Sequence, residues 1–222
     1  MTHDIREWPY TDKFSVMDIE GDGHPDNRPI EISVIDFDNG QMTGTHYWLI
    51  NPERKIQDFA CKHIHGITDK MVRRSPTFRD IEHEFRSAIT NKVLVGHGIR
   101  NDFNILKSVI DSPELLPKAT IDTATLAKMV LKRKDKIGLE KVCNILGIRI
   151  PDEYRCPRPG FHGATEDAYA TGLLMFELPK LLPDDPKVIK HVSLSIMGGL
   201  RKPRQVPAPT IENEDTPVGL KP

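Results

Sequence analysis

The feature that most constrains the fold is a switch of pattern along the chain. Three strand-like segments precede residue 51, and helical spacing takes over after Ser75. Residues 14–20 read as a strand entering the core, and 30–36, IEISVID, alternate apolar and polar groups at the period of a strand. The link between them, GDGHPDNRP, is made of turn formers. Residues 44–50, GTHYWLI, read as a third strand closed by Asn51-Pro52, so the first part predicts an antiparallel meander. Beyond it, Ser75-Pro76 opens a helix over 76–90, with Phe78, Ile81, Phe85 and Ile89 at helical spacing. Residues 93–95 predict a short buried strand, a helix begins near Asn101 with Phe103, Leu106 and Ile110 at its period, and residues 119–122 predict a fifth strand. Further helices are predicted over 126–131, 139–146 and 164–178. Strands first, then alternating helices and strands, imply an α/β domain with a mixed five-stranded sheet flanked by helices.

The 222 residues suit one domain, taken as residues 1–200, followed by a Pro-rich, charged tail over 201–222 that predicts disorder. Three cysteines, Cys61, Cys143 and Cys156, cannot all pair and form no C-x-x-C, which predicts a reducing compartment and no structural zinc. The start lacks a basic, apolar leader, and the apolar run Leu173–Leu182 is broken by Glu177, Pro179 and Lys180. A soluble, cytoplasmic protein without a membrane partner is expected. A formal net charge of −1 gives no global grip on nucleic acid, so any such contact needs a local basic patch.

The triplet Asp-Ile-Glu occurs twice, at Asp18–Glu20 and at Asp80–Glu82. On a strand, residues i and i+2 share a face, so Asp18 and Glu20 present two carboxylates side by side at the end of a buried strand. On a helix the same spacing diverges by about 200°. Asp80 and Glu82 then sit in the first turns of the 76–90 helix, where acids favour the macrodipole. The first pair repels itself next to a core and persists most naturally if a cation neutralises it. Asp102 is placed in a first helical turn just beyond a strand end, where α/β sheets hold ligands. Asp167 borders a small-residue stripe of Ala164, Ala168, Thr171 and Met175, with His162 just ahead of that helix. Four carboxylates suit Mg²⁺ or Mn²⁺ rather than zinc, and a histidine near neutrality suits proton transfer.

The order of these motifs resembles the DEDDh branch of the DnaQ-like 3′–5′ exonucleases. The matching stretches are D-x-E at Asp18–Glu20, Asp102 in GHGIRNDF, and H-x-A-x-x-D at His162–Asp167. His65–Thr68 (HGIT) and Asp122-Thr123 add to the match, which covers roughly residues 12–180. The resemblance implies a ribonuclease H-like three-layer fold. It implies two divalent cations, Mg²⁺ or Mn²⁺, on Asp18, Glu20, Asp102 and Asp167. It implies His162 as general base, and His65, Ile67, His97 and Asn101 as substrate contacts. The implied reaction releases nucleoside 5′-monophosphates from a single-stranded 3′ end of RNA or DNA. Proofreading members often carry Thr-Thr-Gly after the Glu; here Gly21-Asp22-Gly23 stands there, and Asp22 is expected to repel phosphate. The G-H-x-x-x-N-D spacing looks more like RNA-trimming and deadenylating relatives.

Basic groups at Lys128, Lys132–Lys134 and Lys136, and at Arg54, Lys55, Lys62, Arg73 and Arg74, offer phosphate contacts or plain solvated surface. A catalytically weak nucleic-acid-binding module stays open as an alternative. So does a proofreading or trimming subunit active only in a complex, and a homodimer.

Overall fold

The computed structural model describes residues 4–110, 117, 119–135 and 137–198, with the backbone alone at 194 and 196–198. The predicted tail and Lys136 lie outside the described residues. A short helix α1 (Trp8–Thr11) leads into strands β1 (Lys13–Gly21), β2 (Pro29–Asp38) and β3 (Gln41–Leu49). Helix α2 (Asp58–Ala60) runs into a π-helical turn over Cys61–His65, and α3 (Asp69–Val72) and α4 (Phe78–Ile89) follow. Then come β4 (Val93–Gly96), α5 (Arg100–Leu106), β5 (Ala119–Asp122), α6 (Thr123–Val130), α7 (Leu139–Leu146), α8 (Ala164–Glu177), α9 (Pro186–Ile196) and β6 (Met197–Gly198).

The five expected strands form one mixed sheet, and the two-residue β6 extends it in the order β3-β2-β1-β4-β5-β6. β1, β2 and β3 are the antiparallel meander, whereas β4 runs parallel to β1 and β5 parallel to β4. The third strand starts at Gln41 rather than residue 44, and the helix expected from near Asn101 to Ile110 starts at Arg100 and ends at Leu106. The first difference arises because β3 is an edge strand whose early residues are mostly exposed, so burial imposes no apolar pattern there.

Both faces of the sheet are covered. One face packs Val16, Ile35, Phe37 and Val95 against α6, α8 and α9, and the other packs Met17, Val34, Trp48 and Leu94 against α4 and α5. Alternation along β2 therefore does not separate core from solvent: Glu31 and Ser33 are buried with the rest. Helix α8 lies close because Gly172 has no side chain; a Cβ there would stand 2.7 Å from the Phe37 ring. The second triplet has a structural duty. Asp80 accepts the Thr77 N–H and hydroxyl, each at 2.8 Å, at the start of α4, and Glu82 pairs with Arg86 at 2.6 Å. Among the described residues, no helix is long and apolar enough to cross a membrane.

Candidate active site

The face of β1 that carries Phe14 and Val16 continues with Asp18 and Glu20, so one strand face turns from apolar to acidic at the strand's C-terminal end. Asp167 approaches from the first turn of α8. Among the described residues, carboxylate oxygens of Asp18, Glu20 and Asp167 all lie within 4.8 Å of one another. Asp102, in the first turn of α5, stands next to this triad but outside it. Its Oδ1 accepts the backbone N–H of Ile19, the residue between Asp18 and Glu20, at 3.0 Å.

Burial and mutual repulsion show in the ionisation of these groups. Burial, then Asp167, Asp102 and Glu20, push Asp18 well above the usual carboxylate range. Burial and the neighbouring Asp167 and Glu31 raise Glu20 to about 7. Burial raises Asp102 to about 8, against the Ile19 hydrogen bond, which favours its charged form. His162 is half-exposed, and its Nδ1 lies 3.1 Å from Oδ2 of Asp167. That contact raises the His162 pKa to about 9. A cluster of carboxyls that resist ionising together, built wholly of oxygen donors, fits a hard divalent cation that would compensate their charge.

The remaining expected residues fall in different settings. His65 is buried, and its Nδ1 accepts the Ile67 N–H at 3.0 Å. Burial drops its pKa to about 4, so the ring is neutral. Ile67 is fully buried against Ile30, Ile56 and Val72, so it anchors the loop rather than offering a surface to a substrate. His97 is half-buried, with Nδ1 3.0 Å from Thr123 Oγ1 and Nε2 2.8 Å from the Ile137 carbonyl. Asn101 is exposed on α5.

Asp22 does not carry the free charge expected of it. Its side chain is wholly buried, ion-paired to Arg54, and it accepts the N–H groups of His24 and Arg28 at 3.2 and 3.1 Å. Arg54 also reaches Asp26, at 2.8 Å, and is therefore engaged away from any phosphate. Lys132, Arg133 and Lys134 are exposed beyond α6. A cavity of about 610 Å³ opens beside His162 and Asp167, lined also by Leu139, Cys143, Arg155 and Glu166. Two residues that sequence reasoning missed, Glu31 and Arg158, meet behind His162 in a buried ion pair at 2.8 Å.

This constellation can be set beside known proteins. The exonuclease (RNase_T) family pattern matches residues 15–175, which spans every motif of the site. The chain belongs to the exonuclease family. The DnaQ-like resemblance and the ribonuclease H-like fold expected from the motifs both hold. Among relatives of this exonuclease chain, the DNA polymerase III subunit epsilon of Buchnera aphidicola subsp. Schizaphis graminum is 31% identical over 179 residues, covering 74% of this chain and 73% of that protein. The 3′-5′ exonuclease DinG of Staphylococcus haemolyticus is 25% identical over 168 residues, covering 74% of this chain. The chain spans only 18% of that DinG protein's length. The solved structure of Exonuclease X in complex with 5′ overhanging duplex DNA superposes with a TM-score of 0.60 at 22% identity, covering 81% of this chain and 99% of the other.

Proposed function

We propose that this chain is a divalent-metal-dependent 3′–5′ exonuclease acting on single-stranded nucleic-acid ends. The observation that carries this reading is the convergence of Asp18, Glu20 and Asp167 with His162 bonded to one of them. Asp18, Glu20 and Asp167 would hold one ion, and Asp102 would support a second. Bound there, Mg²⁺ or Mn²⁺ supplies charge neutralisation, an activated water and stabilisation of the leaving oxygen.

The chain's own groups do the rest. In the metal-free cluster, Asp167 keeps His162 protonated at neutral pH. Neutralisation of Asp167 and Glu20 by a bound cation would weaken that pull, so that His162 would fall towards neutrality and could accept the proton of the attacking water. The water oxygen bonds to phosphorus, the bond from phosphorus to the 3′ oxygen breaks, and that oxygen takes up a proton from solvent. The products are a nucleoside 5′-monophosphate and a strand one unit shorter with a free 3′ hydroxyl.

The similarity to the 3′-5′ exonuclease DinG supports the polarity. The polymerase subunit and the DNA-bound Exonuclease X favour DNA, whereas the G-H-x-x-x-N-D spacing favours RNA. The name of the epsilon relative also supports work within a larger assembly. The free thiols of Cys61, Cys143 and Cys156 support a reducing, cytoplasmic setting. A time course on matched 5′-labelled single-stranded RNA and DNA with Mg²⁺ or Mn²⁺ tests the reading. A ladder shortening from the 3′ end is expected, and the faster substrate identifies the sugar. Firm binding without any ladder would refute the exonuclease assignment in favour of a binding module.

A further inference from the structure

The loop that carries His162 is held by a buried ion pair that the carboxylate cluster does not include. Glu31 lies on β2 directly opposite Glu20, and its side chain is 3% exposed. A fifth acid so placed invites a ligand role, but its oxygens are already taken. Oε1 accepts the Tyr47 hydroxyl at 2.8 Å, and Oε2 accepts the Arg158 guanidinium at 2.8 Å and the Ala164 N–H at 3.0 Å. Ala164 is the first residue of α8, so Glu31 grips the start of the helix that carries Asp167.

Arg158 reaches the same place from the loop ahead of α8. Its Nε donates to the His65 carbonyl at 2.6 Å, and its Nη2 donates to the His162 carbonyl at 3.2 Å as well as to Glu31. The other side of His162 is tied too, because its N–H donates to the Ile64 carbonyl at 2.9 Å. Phe161 packs close to Gly66, where a Cβ would stand 2.8 Å from the ring. A buried ion pair is a poor source of stability compared with apolar packing of similar volume. A guanidinium, by contrast, holds several acceptors in one fixed plane, which a lysine cannot do.

We infer that Glu31 and Arg158 are positioning residues that fix His162 and the first turn of α8 against the carboxylate cluster, an assignment that rests on the exonuclease reading above. Arg158→Lys separates positioning from charge balance, since it keeps a cation for Glu31 but loses the fork.

Two readouts test it. The amides of His162 and Ala164 should exchange with solvent about tenfold faster in Arg158→Lys, at a melting temperature close to that of the wild type. If Arg158→Lys does not fold, Glu31→Gln, which keeps the volume but replaces an acceptor by a donor, is read in the same way. In turnover, Arg158→Lys should lower kcat about tenfold or more with KM little changed, but lower it less than about twofold in a His162→Ala background. Unchanged amide exchange overturns the clamp whether or not the chain is a nuclease. Equal losses of kcat in both backgrounds overturn its link to His162. A wild-type protein that cleaves nothing refutes the exonuclease reading instead, and the clamp is then judged on exchange alone.

Discussion

Asp102 accepts the backbone N–H of Ile19 at 3.0 Å, so a carboxylate from α5 is fastened to the residue that separates Asp18 from Glu20. The contact is buried, and it fixes the spacing between the α5 acid and the two β1 acids. Asp102→Asn keeps an acceptor for that N–H while replacing a carboxyl whose pKa burial raises to about 8. Asp102→Ala leaves the N–H unsatisfied, which costs about 1–3 kcal/mol. The Ala variant should therefore unfold more easily than the Asn variant by that margin in denaturant titrations with chelator present. Equal stabilities would mean that the bond holds nothing in place.

The raised carboxylates predict a pH dependence of the metal-free fold. Glu20 goes from an ordinary 4.5 to about 7, and Asp102 from 3.8 to about 8, so the folded state binds more protons than the unfolded one across that range. Stability must then fall as pH rises. His162, raised from 6.5 to about 9, acts in the same direction, since its contribution is present below 6.5 and lost as pH passes 9. Melting temperatures in chelator should decline from about pH 4 to about pH 9. Added Mg²⁺ should stabilise more at the upper end, where fewer protons must leave. A flat chelator profile would contradict the assigned shifts, and Glu20→Gln should flatten the lower part.

Arg54 predicts a sharp asymmetry with its partner. Removing it by Arg54→Ala leaves the buried Asp22 carboxylate unpaired, a loss of about 3–5 kcal/mol. Asp22→Asn removes the charge from the same place and should leave KM for a single-stranded oligonucleotide unchanged, because Arg54 already neutralises it. A clear fall in KM in Asp22→Asn would restore phosphate repulsion as the role of Asp22.

Asp80 should matter to α4 alone. Asp80→Ala loses both Thr77 contacts at the helix start and should cost about 1 kcal/mol. Turnover below the melting range should not change. A thermal scan beside a rate measurement reads both.

The legible part of this protein was local. Asp18 and Glu20 could be placed on one strand face, Asp102 and Asp167 at helix starts, and the Asp80 triplet on a helix, because each rests on spacing within a few residues. What escaped depends on distant partners. Glu31 meets Arg158 across 127 positions, and in a period-two strand a polar residue gives no sign that its side is also covered. Asp22 looked like a free charge because Arg54 stands 32 positions away. Ile67 matched a motif whose segment is surface in outline, yet its side chain fills the small core of Ile30, Ile56 and Val72. The π-helical turn over Cys61–His65 and the two-residue β6 are too short to leave a period in the sequence.

The central claim is that the first Asp-Ile-Glu triplet holds the reaction's metal and the second does not. It is tested most directly by following Mn²⁺-dependent shortening of a 5′-labelled single strand by wild type, Asp18→Ala and Asp80→Ala, with Mn²⁺ binding to each measured by calorimetry. Asp18→Ala should fold, lose cleavage and lose the Mn²⁺ isotherm, while Asp80→Ala keeps both. An Asp18→Ala protein that binds Mn²⁺ and cleaves like wild type would contradict the account.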